Sequence, residues 1–233
     1  MSISHPQMPF SFGLQEAFSF NNFSVGSNQA VVQQLQHQLS RDGEPLLYLW
    51  GVDGAGCSHL LQAACHLATQ QGFTAMYLPM TEIRTLDPIM LQGVEDVDLI
   101  CIDDLEAIAG LDDWEEALFH LFNRVLQQSA RLVIGAINPP RGVGLELPDL
   151  ASRFASCAVF QVNTLEDDDK LILLQERASQ KGIELSQEAA QYLLNRSQRN
   201  TGVLLQILDK LDQSSLAASR KLTIPFIKQS LNW

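Results

Sequence analysis

Apolar residues fall along the chain in two textures that change over near Asn163. In the first two thirds, short, largely apolar runs alternate with stretches whose apolar positions recur three and four apart. The runs are residues 46–50, 73–78, 97–102, 131–136 and 158–162. Strands of a parallel sheet covered on both faces read this way. Between them, residues 60–68 form one amphipathic helix. Trp114, Ala117, Leu118, Leu121, Phe122, Val125 and Leu126 mark the face of another. Val31, Val32, Leu35 and Leu39 stripe a helix over 29–39, with Asn28 or Ser27 to cap it. Residues 79–96 are looser and contain proline, with a short helix around 89–92. Asn138-Pro139-Pro140 stops the fourth strand, and 147–154 is a short helical turn. This alternation predicts an α/β domain with a five-stranded parallel sheet.

Beyond residue 163 the spacing is helical throughout. Thr164-Leu165-Glu166-Asp167 has the form of a capping box opening a helix to about Lys181, which Gly182 ends. Ser186 caps the next helix, to about Arg196. Helices over 201–218 and 224–231 follow, the last begun by Thr223 with Pro225 in its first turn. The expected organisation is an extended segment at 1–17, an α/β domain at 18–163 and a small helical domain at 164–233.

The first strand runs directly into Gly51-Val52-Asp53-Gly54-Ala55-Gly56-Cys57-Ser58-His59, and a helix follows. Strand, glycine-rich turn and helix are the parts of a phosphate-binding loop, G-x-x-x-x-G-K-[ST]. Without Cβ atoms, the backbone amides can converge on phosphate oxygens, and the helix N-terminus adds partial positive charge. Cys57 stands where the pattern has lysine, whereas Ser58 keeps the hydroxyl that reaches Mg²⁺. Lysine supplies a point charge to the β/γ-phosphates and cysteine none, so a poor ATPase is expected. Taken alone, the loop is also compatible with a glycine-rich turn in another α/β protein. A second signal is the strand at 97–102 ending in Asp103-Asp104. A carboxylate there can hold the Mg²⁺ hydration shell, with Asp104 placed to orient a water; a strand ending in a solvated turn is the alternative.

Composition is that of a globular protein, 46% hydrophobic and 18% charged. The net charge of −12 is uneven: residues 81–120 hold twelve Asp and Glu and a single Arg. Such a stretch repels DNA phosphate and suits a basic protein partner, or is simply a solvated face. No apolar run approaches the ~18 residues of a membrane span, and the N-terminus has no signal-peptide core. Four scattered cysteines without a C-x-x-C pair point to free thiols in a reducing cytoplasm. Gln7-Met8-Pro9-Phe10-Ser11-Phe12 is an apolar cluster on an extended terminus. It either tucks back onto the domain or fills a pocket in another protein.

Several stretches resemble the DnaA/Hda family of AAA+ proteins, and together they cover essentially the whole chain. They are Phe20-Asn21-Asn22-Phe23-Ser24-Val25-Gly26, the loop with residues 58–64, Cys101-Ile102-Asp103-Asp104 with Ile108-Ala109-Gly110, and Pro139-Pro140-Arg141. Leu147-Pro148-Asp149-Leu150-Ala151-Ser152-Arg153 and Arg220-Lys221-Leu222-Thr223-Ile224-Pro225-Phe226 are the most specific. The resemblance implies an AAA+ module in which the helical domain is a lid. It implies that Phe23, Val25 and Gly26 lie at an adenine pocket and that Asp53, Gly54, Ala55, Gly56, Cys57, Ser58 and His59 cradle phosphate. Ser58 and Asp103 would hold Mg²⁺ when it is bound, and ADP is the expected nucleoside diphosphate. Arg153 matches an arginine finger acting in trans. Gln7, Met8, Phe10 and Phe12 match a peptide that docks on the DNA sliding clamp, the β subunit of DNA polymerase III. DNA would be met only through the clamp, as the chain lacks DnaA's C-terminal DNA-binding domain; self-assembly is left open.

Three departures from the family pattern matter. Cys57 replaces the basic residue of the loop, Ile137 (beside Asn138) the acidic sensor position, and Gly202 the second sensor arginine, with Arg199 three residues away. All three positions read the γ-phosphate. The expected function is negative regulation of replication initiation: docking on the clamp and stimulating ATP hydrolysis by DnaA, with no turnover of its own. A standalone AAA+ ATPase or loader, and a non-catalytic clamp adaptor, are the alternatives.

Overall fold

The computed structural model describes residues 14–15, 18–215 and 221–233. They group into two compact units. The first comprises residues 14–15 and 18–23 with Ala30–Gly51 and Cys57–Val162. The second comprises Ser24–Gln29, Val52–Gly56 and the described residues from Asn163 onward.

The first unit contains most of α1 (Gln29–His37), then β1 (Leu46–Trp50), α2 (Cys57–Gln70), β2 (Ala75–Pro79), α3 (Met80–Ile83), β3 (Leu99–Asp103), α4 (Asp112–Gln127), β4 (Arg131–Ala136), α5 (Pro148–Ala155) and β5 (Ala158–Gln161). The five strands form one parallel sheet in the order β2-β3-β4-β1-β5. Alternate residues serve its two faces. Tyr48, Ile100, Ile102, Leu132 and Ile134 join the buried residues of α4 and α5, including Phe122 and Phe154. Leu47, Leu49, Cys101 and Val133 are buried equally well, and α2 packs against β2, β3 and β4. The α4 stripe is as expected except for Leu126, which lies 100° around the helix from Val125 and is exposed.

Local chemistry moves several boundaries. The second strand begins at Ala75, because the backbone N–H and hydroxyl of Thr74 both donate to Asp98 Oδ2, each at 2.7 Å. The helix expected around 89–92 is a single 3₁₀ turn, Pro88–Leu91, capped by Asp87. Helix α1 ends at His37, short of Leu39. Asn28, just before α1, is buried, donates to the Asn163 carbonyl (2.9 Å) and accepts from the Asn163 N–H (2.8 Å).

The second unit contains α6 (Asp167–Gln180), β6 (Glu184–Leu185), α7 (Gln187–Arg196), α8 (Thr201–Ser215), β7 (Lys221–Leu222) and α9 (Ile224–Leu231). Its core gathers Leu174, Leu193, Leu194, Leu204, Leu208 and Ile227. Ser186 and Thr223 cap α7 and α9 as expected. The capping box at Thr164 does not form. Glu166 is the N-cap residue of α6 and makes no side-chain cap bond, so Thr164 falls outside the helix start. Asp167, Asp168 and Asp169 fill the first turn, where the helix dipole favours them. The short parallel pair β6–β7 was invisible in the sequence because two-residue strands leave no period.

Candidate functional site

In the first unit the acidic strand end is a built arrangement. Asp103 closes β3 and is 2% exposed. Tyr77, from the neighbouring strand, donates its hydroxyl to Asp103 Oδ2 at 2.6 Å, and the Asp104 N–H donates to Oδ1 at 3.0 Å. The Ser58 hydroxyl at the start of α2 also bonds this carboxylate. Burial first, and the Asp104 charge second, raise the Asp103 pKa to about 6; the bonds from Tyr77 and Ser58 act in the opposite sense. Gly135 on β4 makes the space. A Cβ there would lie 2.8 Å from Asp103 Oδ1 and 3.1 Å from a methyl of Leu61. Asp104 sits in the left-handed region (φ 55°) and accepts from the Thr81 hydroxyl at 2.7 Å.

Cys57 opens α2, half-buried. Burial, then the Asp103 and Glu106 charges, push its thiol up to about 12, so at neutral pH it is un-ionised and brings no charge. The His59 ring meets Ser19, through its carbonyl at 2.8 Å, and the rings of Phe18 (stacked, 4.8 Å) and Phe23 (edge-on, 5.3 Å). Ile137 is 43% exposed, and its N–H donates to Glu106 Oε2 at 3.2 Å. Arg153 is exposed on α5. On the same helix Phe154 is buried beside the rings of Tyr48 and Phe122, at 6.2 and 5.9 Å.

The remaining loop residues lie in the second unit. Gly54 and Gly56 have φ of 78° and 106°, which side-chain-bearing residues rarely adopt. Asp53 accepts from Asn200 Nδ2 at 2.9 Å, while Asn200 Oδ1 accepts from the Val203 N–H at the start of α8. Asn200 thus caps a helix with one end of its amide and holds the loop with the other. It was missed in the sequence, although an Asn just before a helical run is a recognisable cap. Arg199 pairs with Asp167 at 3.0 Å. Gly26 has φ 49°, and a Cβ there would lie 2.9 Å from Leu165. Val25 accepts from the Asn28 N–H through its carbonyl at 2.8 Å, and Ala55 donates to the Val52 carbonyl at 2.9 Å. Gln7, Met8, Phe10 and Phe12 lie outside the described residues.

Among the described residues, no group of three or more His, Cys, Asp or Glu is arranged to hold a metal. Ser58 and Asp103 are nevertheless brought together, and they suit a Mg²⁺ whose other ligands are water and phosphate oxygens. No helix of the described residues is long and apolar enough to cross a membrane.

The bacterial DnaA ATPase domain family matches residues 14–162, and the Hda lid domain family matches residues 167–231. Domain III of the replication initiation protein DnaA from Thermotoga maritima superposes with a TM-score of 0.83 at 21% identity, over 94% of this chain and 98% of that one. AMPPCP-bound DnaA from Aquifex aeolicus gives 0.70 at 22% identity, over 88% and 69%. The RuvB Holliday junction branch migration motor of Thermotoga maritima gives 0.67 at 14% identity, over 92% and 71%. At these identities the structures speak for the fold, and the two family matches carry the assignment. With a five-stranded parallel α/β domain, a glycine-rich loop after β1, an acidic end on β3 and a helical lid, the chain belongs to the Hda/DnaA family of regulatory, nucleotide-binding AAA+ proteins.

Proposed function

We propose that this chain is a negative regulator of replication initiation. It binds a nucleoside diphosphate, ADP, docks on the sliding clamp through Gln7, Met8, Phe10 and Phe12, and presents Arg153 to ATP held by DnaA. The observation that carries this reading is a contrast within the first unit. The lysine position holds an un-ionised thiol and Ile137 stands at a sensor position, whereas Arg153 is kept exposed on a helix anchored by buried aromatics. The residues for turning over its own ATP are lost, and the one that acts on a neighbour's is retained.

The backbone of residues 54–58 binds phosphate through N–H groups and the α2 N-terminus. Ser58 and Asp103 would hold Mg²⁺, which would supply positive charge against the phosphate oxygens. Phe23, Val25 and Gly26 form the adenine-reading segment. Arg153 supplies a fixed positive charge where negative charge spreads over the transferring phosphoryl group; such fingers contribute about 10³–10⁵-fold in GTPases.

The test is ATP hydrolysis by DnaA in the presence of clamp-loaded DNA. Wild type should accelerate it, and Arg153→Ala should remove the acceleration while still binding the clamp. Full stimulation by a folded, clamp-bound Arg153→Ala protein would sink the mechanism. Clamp binding without stimulation by either protein would favour a non-catalytic adaptor. Hydrolysis in the absence of DnaA would favour a standalone ATPase.

A further inference from the structure

The first unit buries one carboxylate that takes no part in the site described above. Glu115, on the first turn of α4, is 1% exposed. Its partners are three backbone N–H groups from two separate segments. Gly110 donates to Oε1 at 2.7 Å, Glu146 donates to the same oxygen at 3.1 Å, and Leu147 donates to Oε2 at 2.7 Å. A buried carboxylate loses its hydration, and three N–H donors together with the α4 N-terminus replace it.

The two segments are functionally distinct. Gly110 ends the stretch that begins at the acidic strand end: Asp103 and Asp104, then the 3₁₀ turn Leu105–Ile108, whose Glu106 accepts from the Ile137 N–H. Glu146 and Leu147 lead into α5, and Leu147 is its N-cap residue. Leu147 makes no side-chain cap bond, so the Glu115 carboxylate fixes the backbone where that helix starts. The segments also approach side by side: a Cβ on Gly144 would lie 3.8 Å from Ala109, and one on Gly110 would lie 3.7 Å from the Glu146 carboxylate. At its other end α5 is held by Phe154 against Tyr48 and Phe122. At its start the helix is held by the packing of Leu147 and Leu150 and, through its backbone, by hydrogen bonds to the single side chain of Glu115.

Resting on the proposed role of Arg153, we propose that Glu115 is a positioning residue that ties the strand end closed by Asp103 to the helix that presents the finger. Nucleotide phosphate held at the N-terminus of α2 then tightens the Gly110 segment, and through one shared oxygen atom tightens the start of α5. Glu115 touches no nucleotide. It sets the angle at which Arg153 leaves the surface, and a finger misplaced by about 1 Å loses on the order of 10²-fold in rate.

Two measurements on Glu115→Gln test this, because the amide keeps the size and one oxygen but turns an N–H₂ toward an N–H donor; Glu115→Ala is a second variant. The first is stimulation of DnaA ATPase over a range of concentrations. The expected result is a maximal rate lowered about 10-fold or more with an unchanged half-saturating concentration. A wild-type maximum, or a loss restored by adding more protein, would show that Glu115 only stabilises the fold. The second is amide hydrogen exchange at Glu146 and Leu147 with and without ADP. ADP should slow exchange there in wild type and not in Glu115→Gln. No change in wild type on ADP addition overturns the coupling, and equal slowing in both proteins removes Glu115 from it. The exchange result is independent of DnaA, so a wild type that fails to stimulate would count against the finger and leave the tether judged separately.

Discussion

Asp103 shows how one buried side chain carries both legible and hidden chemistry. Its place at the end of an apolar run gave it away, because strand ends with carboxylates are a recognisable pattern. Tyr77 and Gly135 were not legible: each meets Asp103 across the sheet, from a strand whose sequence contains no hint of the register. The pH consequence follows from its environment. An unfolded aspartate loses its proton near 3.8, and this one, buried beside Asp104, loses it near 6. Between those values the folded state holds the proton more firmly. Its contribution is therefore complete below about pH 4 and is lost as pH rises through 6, by about 3 kcal/mol at 1.36 kcal/mol per pKa unit. Asp103→Asn should remove this component. Denaturant titrations at pH 4, 5, 6 and 7 are expected to show the wild type losing stability relative to the variant across that window; parallel curves would contradict the assignment.

At the scale of elements, helix starts separate what sequence can say from what it cannot. Ser186 and Thr223 behave as the sequence suggests, because each cap bond closes within three residues. Thr164 does not, and Asn28 has a distant partner that the sequence did not suggest. The Asn28 amide is drawn into a two-way pairing with Asn163, far along the chain, and α6 starts at Asp167 rather than beside Thr164. Asn200 combines both kinds of bond, a local cap on α8 and a distant hold on Asp53. Its replacement by alanine should cost about 1–2 kcal/mol through the lost cap and loosen residues 52–56. Gly54 depends on the same contact, since a Cβ there would lie 2.5 Å from the Asn200 amide nitrogen. Urea unfolding of Asn200→Ala, with exchange of the Ala55 amide, measures both effects. An unchanged midpoint together with unchanged exchange would show that Asn200 is dispensable.

For the molecule as a whole, the strand order places β4 between β3 and β1. Ile137 follows β4, so the strand after which it comes lies between those that carry the acidic end and the phosphate loop. Cys57, Ile137 and Gly202 belong to three different elements or loops, so restoring one charge does not restore the other two groups. Cys57→Lys should accordingly raise ADP affinity about tenfold by adding one charge-assisted bond, without creating ATP turnover. Calorimetric titration and a phosphate-release assay on the same preparation decide the two halves; turnover by this single variant would mean that the other two positions matter little. The apolar runs made the five strands legible, and the order of strand, glycine-rich turn and helix did the same for the phosphate loop. What neither disclosed was Glu115, whose partners are backbone N–H groups and so leave no trace in residue identity.

The register of the sheet also fixes an order of events as the chain is made. Leu46 through Trp50 find their hydrogen-bonding neighbours only in residues 131–136 on one side and 158–161 on the other. A loop between such distant partners closes slowly, at an entropic cost that local helices do not face. During synthesis the residues around Gly54 therefore emerge long before the strands that hold β1 in place. The strand that leads into the phosphate loop thus leaves the ribosome before either of the strands that flank it in the sheet.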